Sequence, residues 1–93
     1  MATLVQDNAE RSRFEITVDD ELVGVADYRV DGDVVVLPHT EIAPRHRGEG
    51  LAAVLVAGTL DEIRRRGQTV VPACWYVAQY IDDNPEYKDL LAS

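Results

Sequence analysis

Polar and apolar residues alternate over Arg13-Phe14-Glu15-Ile16-Thr17-Val18, the period of two that gives a strand one buried and one open face. Asp19-Asp20 supplies a turn, and Leu22 to Val30 reads as a second strand, so the two form a hairpin. Asp31-Gly32 predicts a two-residue type I′ turn with positive φ at both central positions. It leads into a third antiparallel strand from Val34 that ends near Ile42. From Gly50 to Arg66 the period lengthens to that of a helix: Leu51, Val54, Leu55 and Gly58 share one face, and Ala52, Val56, Leu60 and Ile63 widen the stripe. Arg64-Arg65-Arg66 at the negative end of the helix dipole and Gly67 as a left-handed cap end it.

Thr69 to Ala73 then reads as a short buried strand. Strand, helix and strand make a right-handed crossover, which sets the strand at Thr69 parallel to the one at Val34. Trp75 to Ile81 is expected as a short helix, Asn84-Pro85 as its break, and Glu86 to Leu91 as a last turn or two. The fold class is α/β: a mixed sheet with antiparallel N-terminal strands, one parallel βαβ crossover and short C-terminal helices. The stretch from Met1 to about Ser12 is expected to be a flexible tail.

Ninety-three residues bound the chain to a single domain, 1–93, with one modest core. No apolar run is long enough to span a membrane, and the first residues carry neither a basic nor an apolar leader region. A lone cysteine, Cys74, cannot close an internal disulfide, so a cytoplasmic location is expected. Nine Lys and Arg against 17 Asp and Glu leave a net charge of −8, which repels nucleic acid and anionic membranes and favours cationic partners. Five basic residues fall between Arg45 and Arg66, so an anion site would have to be built locally. Arg65 and Arg66 follow Asp61 and Glu62 by four residues, and helix ion pairs account for them.

The segment joining the third strand to the long helix reads Arg45-His46-Arg47-Gly48-Glu49-Gly50-Leu51-Ala52. Glycines at that place let successive backbone N–H groups wrap a diphosphate, and a helix N-terminus adds about half a positive charge. The bland alternative is a glycine-bearing connection whose arginines face solvent. Neither a Walker pattern nor the three-glycine dinucleotide fingerprint is present. Pro38 cannot donate a ladder hydrogen bond, which implies a bulge or an edge and exposed backbone N–H groups there. His39 and Glu41, two apart, share a strand face.

Arg45-x-x-Gly48-x-Gly50-x-Ala52 resembles the pyrophosphate signature of the GNAT superfamily of acetyl-CoA-dependent N-acetyltransferases. His39-Thr40-Glu41, Cys74 and Asn84-Pro85-Glu86-Tyr87 extend the likeness to a compact branch of that superfamily, over Arg13 to Leu91. The resemblance implies a GNAT-like domain that binds acetyl-CoA, needs no metal, and passes the acetyl group to a primary amine, either a small amine or a lysine side chain, by direct attack. It assigns Thr40, Ile42, Arg45, His46, Arg47, Gly48, Glu49, Gly50, Leu51 and Ala52 to the coenzyme. A monomer or weak homodimer is expected, and the net charge argues against nucleic acid or membrane as partner. Glu49 departs from the basic residue or Gln usual at its position and is expected to point to solvent. The N-terminal helices with which larger members build an acceptor pocket are missing.

Direct attack needs a base for the ammonium and an acid for the departing thiolate. Tyr80 is the candidate acid, since a phenol titrates near 10 and family members use a tyrosine on this helix; the alternative is a packing residue. Glu41 or His39 could be the base, or could only hydrogen-bond structurally. Cys74 precedes a helix whose dipole can favour its thiolate; it is either a covalent acetyl carrier, a residue lining the site, or a small buried hydrophobe. A non-catalytic acyl-CoA-binding or sensing module would keep the glycine loop and need none of these groups.

Overall fold

A computed structural model of the chain describes residues 2–92. Five strands form one mixed sheet in sequence order: β1 (Thr3–Asn8), β2 (Arg13–Val18), β3 (Glu21–Asp31), β4 (Val34–Ile42) and β5 (Thr69–Val71). The first four are antiparallel, and β5 runs parallel to β4 with Val34, Val35 and Val36 opposite Thr69, Val70 and Val71. Helices α1 (Leu51–Arg65) and α2 (Trp75–Asp83) follow the strands they were expected to follow, and Pro85–Leu90 is a 3-10 turn.

The expected tail over 1–12 is instead mostly strand β1, with Gln6 opposite Glu15 and Asp7 opposite Phe14. Its local pattern hides it because one of its helix-facing residues is charged. The Asp7 carboxylate is largely buried, 3.0 Å from Arg66 at the far end of α1, and accepts a 2.7 Å hydrogen bond from the Tyr28 hydroxyl. Gly58 completes the fit: a Cβ there would stand 2.9 Å from the Val5 side chain, so only glycine lets α1 approach β1 this closely.

Turn chemistry differs from expectation as well. The β3–β4 loop is Gly32-Asp33, flanked by the Asp31–Val34 pair, and positive φ occurs only at Gly32 (62°). That is the requirement of a type II′ turn rather than I′. Positive φ at both central positions falls instead on Asp19 (49°) and Asp20 (69°), between the paired Val18 and Glu21.

Both helices lie on one face of the sheet. Phe14, Ile16, Val18, Val23, Ala26 and Ile42 pack with Leu51 and Leu55 at the α1 N-terminal end. Val35, Leu37 and Val70 pack with Val56, Leu60, Ile63, Val77 and Ile81 at the other. Burial of these side chains drives the fold, at ~1.5–3 kcal/mol for each large one. The opposite face carries Glu15, Thr17, Leu22, Val25 and Glu41, and no helix of the described residues covers it. Only the 3-10 turn Ala9–Arg11 joins β1 to β2.

Arg64 locks the C-terminal segment to α1 through a two-pronged pair with Asp89 at 2.8 and 2.9 Å and a bond to the Glu86 carbonyl. Glu62 takes both Arg65, at 2.9 Å, and Arg66, at 2.8 Å, which holds its carboxyl down at about 2. Asp61 forms none of the expected helix pairs with arginine. It accepts a 2.7 Å bond from the Tyr87 hydroxyl, whose pKa burial and this carboxylate push up to about 12.

Candidate active site

Strand β4 changes character halfway along. At Val34–Val36 it is laddered on both edges, to β3 and to β5. Between Val36 and His39 the β3 pairing shifts, so that Leu37 and Pro38 together oppose Tyr28. This is the bulge that Pro38 implied. On the other edge the chain leaves β5 at Pro72. Ala73 N–H donates to the Val71 carbonyl at 3.0 Å, and Cys74 N–H donates to the Leu37 carbonyl at 2.8 Å as the last link between the two strands. Beyond it they part.

The remaining stretch, His39–Ile42, keeps β3 on one side and nothing in the sheet on the other. Ala43 N–H donates to the Val23 carbonyl at 2.8 Å, so its main chain faces β3. By strand alternation Ile42 and Thr40 turn their N–H and C=O groups to the free edge. The Ile42 carbonyl confirms this direction, since it accepts from Arg47 Nε at 3.4 Å. The Thr40 hydroxyl is buried beside that edge with no hydrogen-bond partner among the described residues, an arrangement that a ligand would relieve.

A cleft of about 390 Å³ fills the fork, lined by His39, Thr40, Glu41, Ile42, Arg47, Ala52, Cys74, Trp75 and Tyr76. It runs into a smaller hollow of about 120 Å³ bounded by Ile42, His46, Arg47, Gly48, Gly50, Leu51 and Ala52. Ile42, Arg47 and Ala52 belong to both, so the two make one groove from the glycine loop to Cys74. Gly48 (φ 84°) and Gly50 (φ 78°) adopt left-handed backbone at the mouth of α1, which has no side-chain cap. The open N–H groups of that helix end are thus free for an anion.

The structure divides the loop residues expected at the coenzyme. Arg47, His46, Gly48, Gly50, Leu51 and Ala52 line the groove with Thr40 and Ile42. Arg45 does not; it pairs with Glu21 at the start of β3. Glu49 is exposed to solvent, as expected, and accepts from His46 Nδ1 at 2.9 Å, outside the lining. His39 and Glu41 share a face as expected, 3.3 Å apart and both exposed.

Cys74 lies at the fork, just before α2, whose first turn has no side-chain cap. Burial pushes its thiol up, but the backbone N–H groups of Val77, Tyr76 and Thr40 outweigh this and leave it below the ordinary thiol value. Tyr80, the expected acid, does not line the cleft. It stands four residues beyond Tyr76 on α2, about 6 Å along the axis, with its ring 6.0 Å from that of Tyr87. Burial, followed by the charges of Glu86 and Asp61, raises its pKa. The phenol at the cleft is Tyr76, raised by burial. Trp75 is 78% exposed on the cleft rim, stacked edge-on with Tyr76.

A forked parallel pair, a bulged strand and a positive-φ glycine loop opening a helix thus meet at one place in this fold. Residues 13–90 match the family model described as GCN5-related N-acetyl-transferase, and the chain belongs to that family. Its curated relatives include Protein NATD1 of Mus musculus and of Homo sapiens, each 30% identical over 84 residues, spanning 87% of this chain and 76% and 74% of theirs. Among solved structures, a GCN5-like putative N-acetyltransferase from Staphylococcus aureus superposes with a TM-score of 0.72 at 17% identity, over 97% of this chain and 88% of that one. The ribosomal-protein-S18-alanine N-acetyltransferase of Escherichia coli gives 0.62 at 22%, over 77% of this chain and 49% of its own. At these identities the superpositions show a shared fold.

Proposed function

We propose that this chain is an N-acetyltransferase that takes acetyl-CoA as one substrate and a primary amine as the other, and joins them directly. The continuous groove from the glycine loop to Cys74, along the free edge of β4, carries this reading. Acetyl-CoA supplies an activated thioester. The N–H groups at Gly48 to Ala52 and the Arg47 guanidinium suit its diphosphate, and the free-edge groups of Thr40 and Ile42 suit the amides of its pantetheine arm. The apolar wall of Ala52, Trp75 and Tyr76 suits the arm itself.

The chemistry then falls to groups around the fork. Glu41, with His39 beside it, takes a proton from the acceptor ammonium. The freed nitrogen bonds to the thioester carbonyl carbon, the carbon–sulfur bond breaks, and the sulfur takes a proton from a phenol, which regains one as the nitrogen gives up its second proton. Tyr76, rather than Tyr80, is the phenol positioned for this. Its raised pKa keeps it protonated at neutral pH. Cys74 lines the site and forms no acetyl adduct on the pathway. The protein works in the cytoplasm as a monomer or weak homodimer.

Calorimetric titration with CoA, then CoA release in the presence of a panel of amines, tests the reading. Saturable CoA binding and amine-dependent release are expected. Tyr76→Phe should lower kcat far more than Tyr80→Phe. CoA binding with no release for any amine would leave an acyl-CoA-binding module, and no CoA binding would remove the groove assignment.

A further inference from the structure

Glu41 borders two concavities. One is the groove; the other, of about 260 Å³, lies on the sheet face that no helix covers, lined by Arg13, Leu22, Val23, Gly24, Val25, Glu41 and Ala43. A bulge shapes it. Ile16 pairs with Gly24 and Thr17 with Leu22, so Val23 is an extra residue that bends β3. In the row next to the bulge, Glu15, Val25 and Glu41 stand side by side on β2, β3 and β4. Neighbours in such a row have Cβ atoms ~5 Å apart, so an apolar strip at Val25 is flanked by two carboxylates.

The charges there are unequal in effect. Arg13 is held by Glu15 at 2.8 Å and largely cancels it, while Glu41, 63% exposed, keeps its charge for an incoming cation. Among the described residues its ion-pairing neighbour is His39, and Asp27 stands opposite His39 in the next row. The site is therefore an aliphatic strip, Leu22 to Val25, that leads to a carboxylate at the lip of the acetyl groove. It is also shallow and uncovered. A small amine held there would leave most of its surface in water, unlike the ligands of enclosed sites.

We propose that the acceptor is the ε-amine of a lysine carried on a peptide or protein. Its methylene stem lies over Leu22 and Val25, and its ammonium meets Glu41. The proposal rests on the acetyl-transfer reading and names the substrate class and approach side of that same site. The nitrogen reaches the thioester across β4, from the face opposite the helices. The four-carbon stem is the feature that sets lysine apart from an N-terminal α-amine, which has nothing to lay on the strip.

The test uses the ¹⁵N-labelled full chain without coenzyme and three short peptides: a capped peptide with one central lysine, the same peptide with norleucine, and an uncapped lysine-free peptide. The lysine peptide should move the amide signals of Val25, Glu41 and Ala43, and the other two should not. Glu41→Gln should weaken the response. In turnover, Val25→Lys should raise KM for the lysine peptide roughly tenfold by like-charge repulsion while CoA affinity stays within about twofold. Shifts of equal size with norleucine, shifts confined to other residues, or an unchanged KM in Val25→Lys would each overturn the proposal. Because CoA affinity is read separately, loss of this inference is distinguishable from loss of the acetyl-transfer reading.

Discussion

The two halves of β4 are built from the same kind of chain and do opposite work. Val34–Leu37 is apolar, paired on both edges through Val36, and its Val35 and Leu37 side chains are almost wholly buried. His39–Ile42 is polar on one face, paired on one edge only, and lines the groove. Leu37 and Pro38 form the bulge between them. The first half supplies rigidity through the hydrophobic effect and a complete ladder. The second half is held in extended form by β3 alone, which leaves main-chain groups free without letting the backbone collapse. A free edge is ordinarily a liability; here it is short, bent by a bulge, and walled in by α2.

The sharpest way to break this comparison is to remove the anchor of the first half. Leu37 is 1% exposed and its carbonyl receives the Cys74 N–H, so Leu37→Ala should cost about 2–5 kcal/mol of stability in denaturant melts. Glu41→Gln, in the second half, should leave the melt nearly unchanged. Equal losses would mean that the two halves are not energetically distinct.

The next effect concerns the loop that feeds the second half. Gly50 sits at φ 78°, with open space where a Cβ would go. A β-branched residue would therefore act through backbone strain and not through a clash. Gly50→Val should weaken CoA binding at least roughly tenfold, about 1.4 kcal/mol, measured by calorimetry on a variant of normal circular dichroism. Unchanged affinity would detach the loop from the site.

A smaller effect separates the two arginines. Arg47 lines both parts of the groove, whereas Arg45 is paired with Glu21. Arg47→Ala should lower CoA affinity roughly fivefold at low salt, about 1 kcal/mol, and flatten its salt dependence; Arg45→Ala should do neither. Sensitivity to both would place the Arg45–Glu21 pair in exchange with the ligand.

How much of this was readable follows from how local each cause is. β2, β3, β4 and α1 declare themselves because their buried residues recur at the period of the element, as Phe14, Ile16 and Val18 do. The crossover follows from strand, helix and strand in that order. The bulge was legible from Pro38, and the groove loop from Gly48 and Gly50 between a strand and a helix. β1 was not, since its inward Asp7 is paired with Arg66 and hydrogen-bonded by Tyr28, both far along the chain. The pairing of Arg45 was hidden for the same reason: its partner Glu21 lies on another strand. The choice between Tyr76 and Tyr80 depends on how far α2 stands from the fork, which no spacing within the helix encodes.

The last prediction reads the seam itself, where the halves of β4 meet α2. Burial pushes the Cys74 thiol up, but the backbone N–H groups of Val77, Tyr76 and Thr40 outweigh it and hold the thiol below its ordinary value. Its thiolate is therefore more abundant at neutral pH than that of an unfolded cysteine. The pH profile of iodoacetamide alkylation should have its midpoint below that of the denatured chain. The linkage has a definite sign: a thiol with a lowered folded pKa adds stability above the unfolded value, and that contribution fades as pH falls through the folded one. Bound CoA should slow alkylation if the groove reaches Cys74. A folded-state midpoint at or above that of the denatured chain would mean that burial outweighs the donors, leaving Cys74 a packed wall residue of the fork.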